Sequence, residues 1–202
     1  MLDLFARCVE SMTWLEAFGF VTGVLCVYLA ARENVWNWPI AIVNAAAYVV
    51  VFLRAGLYSD TLLQLVFLTL SAYGWYEWKF GGAGRTELSI SRATPRLWMI
   101  CIAAGLVAWL VLSTIASRLP GTALPRLDAA LTSASFVAQW LMTRKVLDNW
   151  LIWIAADAVY VPMFYYKGLC LTSALYFIFL ILAGMGWMHW RRTLPREVAW
   201  SA

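Results

Sequence analysis

The chain has 202 residues, of which 63% are hydrophobic and only 13% charged, with mean hydropathy +0.74 and a formal net charge of +4. A soluble domain carries roughly a quarter of its residues as charges, so this composition excludes an ordinary soluble domain. The positive surplus forms no basic face or arm, which excludes a nucleic-acid footprint and leaves topology-setting loop residues as its reading.

The first thirteen residues hold Asp3, Arg7 and Glu10, the wrong charge balance for the head of a cleaved signal peptide. A bilayer needs about 20 mostly apolar residues per helix. Seven segments meet that need in chain order: Trp14–Ala31, Trp36–Leu53, Tyr58–Trp78, Leu97–Ser117, Leu127–Thr143, Asn149–Tyr166 and Leu169–Trp190. The runs are continuous rather than alternating, which argues against a barrel. The expected class is therefore an all-α polytopic membrane protein with seven transmembrane helices. Connections are short, except for the polar stretch from Phe80 to Pro95, whose GGAG lacks the Lys-Ser/Thr of a phosphate loop and reads as turn chemistry.

Four cysteines, Cys8, Cys26, Cys101 and Cys170, are scattered without CxxC spacing and read as small core hydrophobes. Assigning the loops alternately to two sides gives five Lys/Arg on one side (Arg7, Arg54, Arg118, Arg126, Lys167) and ten on the other (including Arg32, Lys79, Arg144, Lys145 and Arg191). The positive-inside rule then places the N-terminus outside and the C-terminus in the cytoplasm.

Shifted by 112 residues, the chain aligns with itself without gaps. Arg32 falls on Arg144, Asn37-Trp38 on Asn149-Trp150, Tyr48 on Tyr160, Gly74-Trp75 on Gly186-Trp187 and Trp78 on Trp190, with 18 identities in the 47 positions from 32 to 78. Chance matching of apolar residues does not place Trp on Trp three times in one register, so a duplication is read. The expected organisation is a three-helix repeat over 14–79, a linker with a connector helix over 80–117 and a second three-helix repeat over 127–192. An odd unit of three helices joined by one extra helix gives parallel repeats, the 3+1+3 arrangement of SWEET-type transporters.

Transporters of this design bind substrate between repeats near mid-membrane. Asp157, near the middle of the sixth helix, is the most informative residue, because an ionised carboxylate there costs a few kcal/mol or more unless paired or solvated. Trp153 and Tyr160 share its helical face. Pro162, one turn on, cannot bond the carbonyl of Ala158 and loosens the helix there. Its repeat equivalent is Val50. Asn44 and Tyr48 lie one turn apart on the second helix, Gln64 lies on the third, and Tyr176 is its counterpart on the seventh. Amides inside lipid need partners, and their convergence with Asp157 is expected to form a polar cavity. Trp187 is expected at its mouth, with Trp78 and Trp190 as interfacial belt residues beyond it. Glu16 and Asp128 are repeat equivalents at the outer helix ends and read as solvated or dipole-compensating charges. The lone His189 has no second ligand nearby, so neither a metal nor a cofactor is expected. No catalytic motif is present, and an enzyme is not expected.

The runs Trp14-Leu-Glu-Ala-Phe-Gly19, Tyr73-Gly-Trp-Tyr-Glu-Trp78 and Thr143-Arg-Lys, followed by Asp148-Asn-Trp-Leu-Ile-Trp153, resemble the PnuC-type vitamin transporters of bacteria over residues 14 to about 192. The resemblance implies a SWEET-like homotrimer in the inner membrane that carries nicotinamide riboside by facilitated diffusion, with phosphorylation in the cytoplasm trapping the product. It also implies substrate contacts at Asn44, Gln64 and Trp153. Asp157 departs from the family pattern, in which some members carry Asn, and Gln139 has no counterpart and stays outside the candidate set. The residues are compatible with this substrate, since aromatic faces attract a flat pyridinium by up to about 2 kcal/mol when desolvated. Thiamine or another B vitamin is the alternative within transport, and a non-transporting membrane scaffold or receptor is the alternative of another class.

Overall fold

The computed structural model describes residues 14–54, 58–117 and 124–194. Arg7, Cys8, Arg118, Arg196 and the side chain of Glu16 lie outside the described residues.

Seven helices follow one another among the described residues: α1 (Trp14–Ala31), α2 (Asn37–Arg54), α3 (Tyr58–Phe80), α4 (Pro95–Ala116), α5 (Pro125–Thr143), α6 (Asn149–Tyr166) and α7 (Cys170–Thr193). Each expected apolar segment is one helix, with ends shifted by no more than three residues. By length and hydropathy alone α2, α4 and α7 are sufficient to cross a membrane, and α1 contributes a shorter apolar stretch over Ala17–Ala31; α3, α5 and α6 interrupt their apolar runs with polar groups such as Gln64, Gln139 and Asp157. The helix starts have local causes. Pro95 and Pro125 sit in the first turns of α4 and α5, where a missing N–H is harmless. Thr94 caps α4 by accepting the Leu97 N–H at 3.2 Å.

Large apolar side chains face outward along α4, among them Met99, Ile102, Leu106, Val107 and Val111, each more than half exposed. Such a surface suits lipid and not water. Pro162 leaves α6 unbroken. The Ser173 hydroxyl on α7 donates to the Val161 carbonyl at 2.8 Å and ties the two helices beside the proline.

Helix contacts repeat between the two halves. In the first, α2 packs on both α1 and α3; in the second, α6 packs on both α5 and α7. Between halves, α1 meets α7 and α3 meets α5, contacts that exchange under the 112-residue shift, while α4 packs only against α5 among the described residues.

Four tryptophans join the halves at one end. Trp38 meets Trp78 edge-on at 5.3 Å between ring centres, Trp150 meets Trp190 edge-on at 5.5 Å, and Trp78 touches Trp190 at 5.8 Å. The Trp78 indole N–H donates to the Met142 carbonyl at 3.0 Å and the Trp190 N–H to the Ala30 carbonyl at 3.2 Å. Residues 30 and 142 are themselves equivalent under the shift, so each half donates one matched bond to the other. Close approach requires glycine: a Cβ at Gly74 would lie 2.5 Å from the Trp38 ring, and one at Gly186 would lie 2.6 Å from the Trp150 ring. The expectation that Trp78 and Trp190 are belt residues is therefore corrected. Both are at most 2% exposed, because α3 packs on α5 and α7 on α1, contacts in which an indole can bury its ring and still donate its N–H.

Beside this cluster lies an ionic layer. Glu33 and Lys145, equivalent under the shift and both in the left-handed backbone region (φ 57° and 48°), pair with each other at 3.5 Å. Arg144 pairs with Glu77 at 3.1 Å. At the opposite end Lys167 pairs with Asp128 at 3.5 Å.

The stretch from Gly81 to Thr94 turns at Gly84 and Arg85, as its GGAG indicates, and then docks. Ile90 is buried and Leu88 packs with the tryptophans. Ser91 bridges Val146, and the Asp148 carboxylate accepts the Ala93 N–H at 2.7 Å.

Candidate functional site

A cavity of about 200 Å³ lies between the halves, beside the four tryptophans. From the first half α1 contributes Cys26, Val27 and Ala30, and α2 contributes Asn37, Trp38 and Ala41. From the second, α5 contributes Gln139 and Met142, α6 contributes Trp150, Trp153 and Asp157, and α7 contributes Tyr176, Phe179 and Ala183. Helices α3 and α4 add nothing to the lining.

Asp157 is 2% exposed, and its Oδ1 has no hydrogen-bond partner among the described residues. A buried charge is ordinarily paired or held by several hydrogen bonds. The ion pairs of the described residues all lie at the helix ends, so no cation neutralises Asp157 at its own depth. The indole N–H groups of Trp38 and Trp150, both lining the cavity and each 1% exposed, also lack partners. A buried polar group left unsatisfied costs about 1–3 kcal/mol. Side chains carrying two unpartnered donors and one unpartnered acceptor thus line a single cavity, a pattern that suits a polar guest.

Three of the eight candidate residues, Trp153, Asp157 and Tyr176, line the cavity together. Tyr160 stands one layer behind, its ring 4.6 Å from Tyr176 and 5.5 Å from Phe164. Asn44 does not reach the lining: its amide donates to the Thr22 hydroxyl on α1 at 2.5 Å and ties the two helices. The reason is register, since the residue equivalent to Asp157 is Ala45, and Asn44 is turned about 100° from it around the helix. Tyr48 stacks on Phe52 and lies against Gly19, where a Cβ would clash with its hydroxyl. Gln64 is half-buried on α3, outside the lining. Trp187 packs beside the tryptophan cluster under the Arg191 guanidinium, 5.0 Å from its ring, with its buried N–H unpartnered. The expected convergence of Asn44 and Gln64 with Asp157 is therefore absent from this conformation.

The lining also holds residues outside the candidate set. Trp38 and Trp150 were legible as a duplicated Asn-Trp pair, and Gln139 as an amide inside an apolar helix, the same signal that selected Gln64. Cys26 lines the cavity and donates from Sγ to the Asn37 carbonyl at 3.3 Å; it, Cys101 and Cys170 are free thiols. No group of three or more His, Cys, Asp or Glu positioned for a metal occurs among the described residues.

Comparison with known proteins adds an independent line. A family model described as nicotinamide mononucleotide transporter matches residues 13–192. The nicotinamide riboside transporter PnuC of Escherichia coli (strain K12) is 28% identical over 204 residues, spanning 89% of this chain and 85% of that protein. PnuC of Neisseria mucosa is 26% identical, over 92% of this chain and 74% of that protein. The riboflavin/roseoflavin transporter RibM of Streptomyces davaonensis is also 26% identical, over 94% and 92% respectively. Among solved structures, the crystal structure of the vitamin B3 transporter PnuC superposes with a TM-score of 0.69 at 24% identity, covering 95% of this chain and 87% of that one. At that identity the match shows the shared fold.

Proposed function

Because the chain belongs to the nicotinamide mononucleotide transporter family, we propose that it carries nicotinamide riboside across the bacterial inner membrane, binding it in the cavity between the halves. The observation that carries this reading is Asp157: a buried carboxylate without a cationic partner, bordering a cavity with two unpartnered indole donors. Nicotinamide riboside supplies the complement. Its pyridinium neutralises the carboxylate, its flat ring lies against Trp153 or Tyr176, and its amide and hydroxyls meet the indole N–H groups. Relatives carry names of two substrate classes, nicotinamide riboside and riboflavin/roseoflavin. The volume of about 200 Å³ favours the smaller, being already below the roughly 300–1,000 Å³ usual for small-molecule sites. Thiamine, another flat cation, is the competing guest to include in a binding panel.

The halves act as parallel three-helix repeats joined by α4. Support comes from the exchangeable helix contacts and the matched tryptophan bonds. Rocking of one half against the other separates the tryptophan and Glu33–Lys145 layers and opens the cavity at that end, which the excess of Lys and Arg assigns to the cytoplasm. The N-terminus then lies outside and the C-terminus inside. Transport is downhill, in a homotrimer like that implied by the family resemblance. Saturable uptake of labelled nicotinamide riboside into proteoliposomes tests the reading. Uptake no greater than in empty vesicles contradicts it.

A further inference from the structure

We propose that Gln139 is a recognition residue for the substrate's primary carboxamide; this rests on the transport reading above. Gln139, half-buried, lines the cavity from α5, and its amide makes no hydrogen bond among the described residues, whereas the buried polar side chains of α5, Ser133, Ser135 and Thr143, all donate to backbone carbonyls of their own helix. The duplication shows whether the fold needs an amide there. The equivalent of Gln139 is Val27, which lines the same cavity from the opposite half. A valine suffices for packing at that position, so the amide answers to something other than the architecture.

The same comparison holds along the lining. Asp157 corresponds to Ala45 and Trp153 to Ala41. The polar side-chain groups at mid-depth therefore come from the second half, while the first presents Cys26, Val27, Ala30 and Ala41. A guest in such an asymmetric cavity is held in one orientation, with its hydrogen-bonding groups against α5 and α6 and, at the tryptophan end, against the Trp38 indole of α2. Among those groups a primary carboxamide is the match for a glutamine, since each amide donates one N–H and accepts one in return. Asp157, an acceptor when ionised, is left to the cationic ring and hydroxyls.

The test is a two-by-two binding cycle on the full-length purified protein, by calorimetry, with nicotinamide riboside and the riboside of unsubstituted pyridine. The wild type is expected to bind the carboxamide ligand about tenfold more tightly, as one or two net hydrogen bonds give. In Gln139→Leu the two ligands are expected to bind alike, with the affinity for nicotinamide riboside lowered about tenfold and that for the pyridine analogue unchanged. Gln139→Met, unbranched and similar in length, repeats the measurement where leucine disturbs folding. Discrimination retained at the wild-type level in either variant overturns the assignment, as does failure of both to fold, which marks the amide as structural. A wild type that binds neither ligand contradicts the transport reading instead.

Discussion

The tryptophan layer and the cavity beside it are both drawn from the two segments that align under the 112-residue shift, and they match to different degrees. In the tryptophan layer the halves match residue for residue: Trp38 with Trp150, Gly74 with Gly186, Trp78 with Trp190, and one interlocking bond in each direction. Half a helix away, Asp157 faces the place of an alanine, Gln139 that of a valine and Tyr176 that of Gln64. Two similar bodies that must separate and rejoin can use a symmetric seam, since each bond is made by both partners. A guest without two-fold symmetry needs an asymmetric pocket. On the proposed reading, the difference separates residues that close the molecule from residues that recognise its cargo.

The seam should give the largest effects, and equal ones. Removing a buried indole costs about 3–5 kcal/mol, so Trp78→Ala and Trp190→Ala are each expected to lower the unfolding midpoint strongly and to the same extent. A large loss in one and none in the other breaks the symmetry on which the comparison rests. Smaller are Gly74→Ala and Gly186→Ala, where the new Cβ presses on an indole ring; overpacking costs about 1–3 kcal/mol, again in matched amounts by thermal denaturation. Smallest is Glu77→Gln, which breaks the partly exposed pair with Arg144 in the same ionic layer. Exposed ion pairs contribute about 0–1 kcal/mol, and the effect is expected to fade with added salt. A salt-independent loss larger than that of the glycine variants assigns the ionic layer, and not the tryptophans, to the closure.

Much of the fold was legible because lipid imposes one requirement on every helix: about 20 apolar residues in a row. The segments therefore emerged within three residues of their ends, and the duplication followed from identities such as Asn37-Trp38 on Asn149-Trp150. The site was harder to read, because in a membrane helix polarity reveals depth but not direction. Asn44 and Asp157 stand at similar depths, yet a one-residue offset in register turns Asn44 to Thr22 and leaves Ala45 in the matching place. Trp78 and Trp190 suit a membrane interface by composition, and only the packing of α3 on α5 and of α7 on α1 explains their burial. The docking of Leu88 and Ile90 was masked by their polar neighbours, and the Asp148 contact to Ala93 joins residues distant in sequence.

The central claim is that a carboxylate without a cationic partner at mid-depth exists for the cargo. Equilibrium binding of nicotinamide riboside to the wild type, Asp157→Ala and Asn44→Ala tests it most directly. Hydrogen bonds to a charged group contribute about 1.5–3 kcal/mol, so Asp157→Ala is expected to weaken binding by about ten- to a hundredfold, while Asn44→Ala stays within about threefold of the wild type. Wild-type affinity in Asp157→Ala, or a greater loss in Asn44→Ala, contradicts the account.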